Sequence, residues 1–425
     1  MKSANNPVFI LGSARIPFAK SQTAYNNVSR KDLLVGALDG LVKAHKLEGK
    51  LIDDTSLGAV MNSSADFNLA REALLSTKLD PNSPAYNIQR ACGTGLEAVW
   101  QIGLKAHTGA IDIGIAGGVD TNSDLPIDVS KPLQRALLDL HKARNFGEKW
   151  KALSGITLKS LRPRIPNVNE PRTLLSMGQH TELMVKEWKI SREEQDAFAL
   201  ASHKNGAKAY DSGFYNDLVH PFAGLKRDGT LRGDTSIEKL GKLKPAFDPV
   251  NGSLTAGNSS PLTDGAAVVL VGNEAGAKKT GATPLARLVD VQVAAVNFVA
   301  GEGLLMAPTK AIASLLKRNN LTLEDIDYFE LHEAFAGQVL SNIKALESEE
   351  YSRRVLGWDR AVGGIDLAKV NLVGSSIALG HPFAATGARI TGSLAKILSQ
   401  NPKKRGLISL CTAGGMGIAA ILESV

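Results

Sequence analysis

The chain has 425 residues and only two cysteines; its length exceeds one ordinary core and predicts two or three domains, while two thiols form no disulfide framework and point to a reducing compartment, read here as the cytoplasm. No apolar run approaches the ~20 residues of a membrane span, and the eight histidines have no zinc-type spacing with the cysteines, so no metal is expected. The net charge of +7 sits in one place: residues 131–164 hold nine Lys/Arg against Asp139 and Glu148, so the rest of the chain sums to zero and an anionic partner for this segment is expected.

Residues 1–7 carry neither a signal-peptide core nor an Arg-rich presequence, and residues 422–425 are no peroxisomal address. Residues 8–12, 57–61 and 111–116 read as strands. Residues 31–45 read as a helix with Leu33, Leu34, Ala37, Leu38, Leu41 and Val42 on one face, the alternation of parallel α/β layers. Between them, residues 83–87 read as extended, and Leu96, Ala98, Val99, Ile102, Gly103 and Ala106 recur at helical spacing. Cys92 therefore falls at a helix N-terminus, where free N–H groups and the helix dipole favour a thiolate and Gly93 and Gly95 leave the sulfur approachable. A buried structural thiol is the other reading of that stretch. Gly117-Gly-Val-Asp120 is expected to close the third strand in a tight turn.

From residue 122 to 247 the pattern changes to prolines, basic runs and short helical stretches, which predicts an inserted loop domain. Ser191 and Glu194 form a capping box at a helix start. Strand and helix alternation then resumes, with strands at 286–296, 328–331, 370–373 and 407–411. Cys92-Gly-Thr-Gly95, a helix, and a strand ending in Gly117-Gly118 are echoed by Ala384-Ala-Thr-Gly387, a helix, and a strand ending before Gly414-Gly415, which suggests an internal duplication. Reactive side chains recur in the second part. His332 follows an apolar strand in Glu330-Leu-His-Glu-Ala-Phe-Ala336, His381 lies in Gly380-His-Pro382, and Cys411 ends a strand before Thr412-Ala-Gly-Gly-Met-Gly417. Each alone reads as well as an inert turn or core residue. Together they place both cysteines at strand ends beside glycine-rich turns, where backbone N–H groups can face a substrate oxygen. One thiol then serves as nucleophile and the other as acid/base, which suits forming an acyl-thioester and removing a weakly acidic C–H proton.

These stretches, with Lys244-Pro-Ala-Phe247 and Thr255-Ala-Gly-Asn-Ser-Ser260, resemble the thiolase family, acyl-CoA:acetyl-CoA C-acyltransferases, along essentially the whole chain. The resemblance implies an α/β thiolase fold, two similar halves stacked in five layers (αβαβα) with an inserted loop domain. It assigns residues 1–121 and 248–274 to the first half, 122–247 to the insert and 275–425 to the second half. It implies Cys92 as the acylated nucleophile, His381 as its activator and Cys411 as the acid/base. His332 stands where most thiolases have asparagine and, with His381, would polarise a thioester oxygen; the N–H groups of Cys92 and Ala413 would hold the acyl oxygen. Coenzyme A contacts carry over to Arg232, Phe247, Ala256, Ser260, Met177, Ala334 and Phe335. His332 and Gly380-His-Pro-Phe-Ala-Ala-Thr-Gly387 resemble most the thiolase subunit of the trifunctional fatty-acid oxidation complex. That likeness implies 3-ketoacyl-CoA thiolysis in β-oxidation, CoA thioesters as substrates with no permanent cofactor, and a homo-oligomer, dimer or tetramer. A hydratase/dehydrogenase partner subunit or peripheral membrane contact through residues 131–164 is implied as well, and no nucleic acid. The alternatives are an acetoacetyl-CoA-forming biosynthetic thiolase, a decarboxylating ketoacyl synthase, which would leave Cys411 without use, and a catalytically silent scaffold or lipid-carrying subunit.

Overall fold

The computed structural model describes residues 6–166 and 169–425; residues 1–5 of the opening stretch lie outside it. Eight principal strands carry the architecture: β1 Val8–Arg15, β2 Asp54–Gly58, β3 Ile113–Asp120, β4 Thr263–Gly272, β5 Ala286–Ala295, β6 Tyr328–Leu331, β7 Arg405–Thr412 and β8 Met416–Glu423. They join in one hydrogen-bonded path, β2-β3-β4-β1-β5-β8-β7-β6, extended past β2 by Tyr86–Asn87. Outward from the antiparallel β1·β5 junction, the first half runs β1, β4, β3, β2 and the second β5, β8, β7, β6. In each the outermost of these pairs is parallel and the inner ones antiparallel. One topology used twice is the duplication that the repeated glycine-rich stretches suggest.

The principal helices are α1 Arg30–Ala44, α2 Thr94–His107, α3 Lys131–Lys142, α4 Phe146–Ser154, α5 Met177–Glu187, α6 Arg192–Asp211, α7 Ala307–Arg318, α8 Ala336–Glu347 and α9 Thr386–Ser399. Ser29 caps α1 by accepting the Asp32 N–H, and Leu33, Leu34, Ala37, Leu38 and Leu41 bury its apolar stripe against the first half-sheet. Helices α2 and α9 fill the space between the half-sheets. Leu96, Val99 and Ile102 of α2 meet Ile390 and Leu394 of α9 in a core that also takes Ile10, Val269, Ile408 and Ile418 from the strands. Helices α7 and α8 cover the far face with Ile312, Leu316, Val339 and Ile343. The result is five layers, α1 | half-sheet | α2 with α9 | half-sheet | α7 with α8. An apolar surface two layers deep on each side explains why α9, at the centre, is buried nearly end to end.

Several expectations are corrected. Gly117 and Gly118 do not turn; they continue β3 through Asp120, and a Cβ on Gly118 would sit 2.4 Å from the Ala384 carbonyl, so glycine here serves close approach. The strand expected over 57–61 spans Asp54–Gly58, because the Val60 and Met61 N–H groups turn to the Asp120 carboxylate at 3.0 Å. Residues 370–373 form no strand beyond a single bridge from Val370 to Phe329. Asn371 has φ +51°, and its side chain accepts the Leu331 N–H and donates to the Leu331 carbonyl, supplying the pairing a strand would have given. Residues 122–247 are not confined to short helical stretches. They include α6 at 20 residues, started by the Ser191/Glu194 capping box, and contribute no strand to the sheet among the described residues.

Candidate active site

Cys92 is delivered by a strained turn. Ala91 has φ +43°, Gly93 is the N-cap of α2, and the half-buried Cys92 lies just ahead of the helix start. A Cβ on Gly95 would come within 2.6 Å of the Ala388 nitrogen and 2.7 Å of the Ala384 carbonyl, so glycine lets the start of α2 abut the loop and helix that carry His381. On the other side, Cβ of Gly93 would touch the methyls of Thr412 and Ile418 at 3.1 and 3.0 Å, which sets the Cys92 turn on the ends of β7 and β8 beside Cys411. Cys411 is 2% exposed and packs among Phe335, Val296, Met306 and Leu304. The two cysteines, from different halves, thus share one site.

The helix start does not prevail over burial. Desolvation pushes the Cys92 thiol up to about 12, the nearby Asp120 carboxylate adds to the rise, and the N–H groups of Ala413 and of Cys92 itself pull against it. Cys411 is raised well above the usual thiol range by burial and by Cys92 beside it. The expected resting thiolate is corrected to a thiol: a polar N–H at a helix end is outweighed by loss of water around the sulfur.

His381 and His332 stand together, ring centroids 4.1 Å apart and tilted 45°. The His381 backbone N–H donates to Thr263 Oγ1 at 2.7 Å and its ring Nδ1 lies 2.6 Å from Thr386 Oγ1; His332 Nδ1 lies 2.8 Å from Ser376 Oγ. Each ring keeps Nε2 as its other nitrogen. Burial, with the Arg389 guanidinium, lowers His381 to about 3, and burial, His381 and Arg389 hold His332 well below the usual imidazole range. Both rings are neutral at pH 7. A neutral imidazole can take a thiol proton and can donate an N–H, which a permanently charged ring could not do in turn. Ala413 is free of backbone strain, since the left-handed residues are its neighbours Gly414 (φ +77°) and Gly415 (φ +69°).

The residues expected to meet coenzyme A are only partly brought together. The Phe247 and Phe335 rings meet edge to face at 5.6 Å, and Met177 and Ala334 pack in the same apolar cluster as Cys411. The Ser260 N–H donates to the Ala334 carbonyl at 2.9 Å, while Ala256 lies exposed on the loop leading to it. Arg232 is exposed, and its backbone N–H is held by His203 Nδ1 of α6 at 3.2 Å. Among the described residues no group of three His, Cys, Asp or Glu side chains could hold a metal.

Four site residues escape a reading by motif. Buried Asp120 accepts the N–H groups of Val60, Met61 and Ala384, tying the first half to the His381 loop, and burial raises its carboxyl to about 6. Glu170 of the insert accepts the Gly414 N–H at 2.6 Å. Ser376 and Thr386 engage the two histidines. Isolated acids and hydroxyls at these spacings carry no pattern; only Asp120, beside Gly117-Gly118, where it reads equally as a turn, and Thr386, within Ala384-Ala-Thr-Gly387, offered a signal.

The profile described as thiolase, N-terminal domain, matches residues 8–275, and that described as thiolase, C-terminal domain, matches residues 282–424. A 3-ketoacyl-CoA thiolase of Shewanella loihica is 41% identical over 422 residues, 98% of this chain and 96% of that protein, and one of Shewanella piezotolerans is likewise 41% identical over the same shares. Among solved structures, the Bacillus anthracis acetyl-CoA acetyltransferase is similar at TM-score 0.82 and 31% identity, covering 100% of both chains. A human mitochondrial 3-ketoacyl-CoA thiolase in complex with CoA is similar at TM-score 0.82 and 30% identity, covering 99% of each.

Proposed function

Because this chain belongs to the thiolase family over both of its halves, we propose that it cleaves 3-ketoacyl-CoA with coenzyme A, giving acetyl-CoA and an acyl-CoA two carbons shorter, and runs the reverse Claisen condensation. The observation that carries the reading is the proximity of Cys92 and Cys411, one from each half, with the His381 loop packed on the start of α2 and the His332 ring 4.1 Å from that of His381. Cys92 Sγ attacks the 3-keto carbon as His381 Nε2 takes its proton; with both groups neutral at rest, proton transfer accompanies C–S bond formation. The C2–C3 bond then breaks. Its electron pair becomes an acetyl-CoA enolate whose oxygen faces His332 and His381, and Cys411 gives its proton to C2. The acyl oxygen on Cys92 rests on the N–H groups of Cys92 and Ala413. The thiol of a second coenzyme A attacks this acyl group, Cys411 recovers a proton from it, and the imidazolium of His381 returns the first proton to Cys92 as the new thioester leaves.

The same reading assigns residues 1–121 with 248–274 and residues 275–425 to the two halves and 122–247 to the insert. Phe247, Phe335, Met177, Ala334, Ala256 and Ser260 line the coenzyme slot and Arg232 meets a phosphate; coenzyme A is substrate, and no permanent group takes part. We place the enzyme in fatty-acid β-oxidation, as a homo-oligomer in the cytoplasm beside a hydratase/dehydrogenase subunit. No helix among the described residues is long and apolar enough to cross a membrane. The basic segment 131–164 folds as α3, α4 and a following turn that leave Phe146, Trp150 and Leu158 at 81%, 69% and 89% exposure among the cations, a surface suited to an anionic bilayer. Thiolysis rates with 3-ketoacyl-CoAs of graded length test the assignment. Cleavage extending to long chains supports it, activity on acetoacetyl-CoA alone favours the biosynthetic alternative, and no CoA-dependent cleavage at any length refutes it in favour of a silent scaffold.

A further inference from the structure

His332 is 1% exposed, and of its two ring nitrogens only Nδ1 has a partner, Ser376 Oγ at 2.8 Å; Nε2 is buried without one. A neutral imidazole carries a single N–H, so the nitrogen that holds it decides whether Nε2 is a donor or a lone pair. The other neighbour of Ser376 decides between them. Arg389 Nη2, a donor with no acceptor capacity, reaches the same Oγ at 2.8 Å. Ser376 is fully buried, and Arg389 and His332 are the partners of its hydroxyl. Were Nδ1 protonated, that oxygen would accept twice and its own hydrogen would face no acceptor, a costly arrangement in a dry site. With Nδ1 bare, the hydroxyl and Nδ1 are both satisfied: Arg389 donates to Ser376, Ser376 donates to Nδ1, and the ring proton lies on Nε2, where it is left free for a ligand.

The second arm of Arg389 runs the same way. Its Nη1 donates to Ser375 Oγ at 3.1 Å, and Ser375 donates to the Leu331 carbonyl at 3.3 Å, one residue before His332, so the guanidinium sets both the ring and the strand end that carries it. We propose that Ser376, oriented by Arg389, is a positioning residue that locks His332 as the Nε2–H tautomer, and that this N–H is the donor offered to the thioester oxygen. The second clause rests on the thiolase reading; the tautomer does not.

Nitrogen-15 NMR of the full-length protein with labelled histidine reads the proton directly, the His332 signals being identified by their loss in His332→Asn. Protonated Nε2 with bare Nδ1 is expected, and the reverse overturns the proposal. A double-mutant cycle tests the consequence, since an asparagine amide donates in every state and needs no tautomer lock. Ser376→Ala should lower thiolysis kcat about tenfold or more in the parent and less than about twofold in the His332→Asn background, the scale expected for a weakened oxyanion donor. Equal losses in both backgrounds would mean that Ser376 acts through packing and would overturn it. Failure of the thiolase reading shows elsewhere, as absence of an acyl group on Cys92 of the parent by intact mass, whereas the resonance assignment is independent of turnover.

Discussion

Replacing Glu170 by alanine tests whether the insert is a lid or part of the machinery. Glu170 is 6% exposed, and its Oε1 accepts the N–H of Gly414, the residue after Ala413, at 2.6 Å. Its own backbone is pinned in a tight loop, the N–H to the Leu175 carbonyl and the carbonyl to the Leu174 N–H, so the carboxylate arrives already oriented. A hydrogen bond to a charged partner contributes about 1.5–3 kcal/mol. Gly414 and Gly415 are both left-handed, a turn that glycine adopts at high entropic cost and that this bond holds, with Ala413 aimed at Cys92. If the whole bond serves to aim the Ala413 N–H, its loss slows turnover by about 10–150-fold, at 1.36 kcal/mol per decade. Glu170→Gln keeps an acceptor oxygen and should lose well under half of that free energy. The assay is steady-state thiolysis together with the rate of acyl transfer onto Cys92 in a single turnover. Unfolding of a chain this long has an entropy near 0.9 kcal/mol/K, so Tm should fall by only about 2–3 °C in the alanine variant. Glu170→Ala with parental kcat and acylation would refute the reasoning and leave the carboxylate as a plain interdomain tether.

Cys92→Ser should fold yet accept no acetyl group from acetyl-CoA, because the serine hydroxyl needs a stronger base than a histidine held near 3; an acetyl adduct on Cys92→Ser that is missing from Cys92→Ala, by intact mass, would contradict this. Cys411→Ala should still be acetylated on Cys92 but condense about 10²-fold more slowly, and an equal loss in both half-reactions would make Cys411 structural. His381 has a folded pKa below its unfolded value, so it leaves stability untouched above pH 6.5 and costs progressively more as pH falls from there toward about 3; from pH 7.5 to 5 that is about 2 kcal/mol. The Tm drop over that interval should therefore be about 2 °C smaller in His381→Asn, the raised carboxyls of Asp120 and Glu330 acting alike in both proteins. Changing Lys142, Arg144, Lys149 and Lys151 to Gln should abolish low-salt sedimentation with anionic vesicles and spare thiolysis; retained binding with impaired thiolysis would assign the segment to coenzyme A, and binding only to a partner subunit would assign it there.

Glycine-rich stretches, two cysteines at strand ends and alternating apolar runs were enough to read the family and the duplicated α/β fold from the chain alone, and to single out Cys92, His332, His381 and Cys411 as candidates. Such features are local: period, turn chemistry and residue type survive in one dimension. Tertiary structure decided what depends on long-range approach. Gly117 and Gly118 read as a turn because glycine usually marks one, yet they are strand residues whose missing Cβ admits the Ala384 loop. Asn371 broke an apolar run that reads as a strand, because its side chain, not its backbone, pairs with Leu331. The protonation states could not be read at all. A helix N-terminus predicts a thiolate, but the sulfur's resting proton, and that of each histidine, follows from how much water the two halves expel when they close around the site, and no single segment of chain contains that quantity.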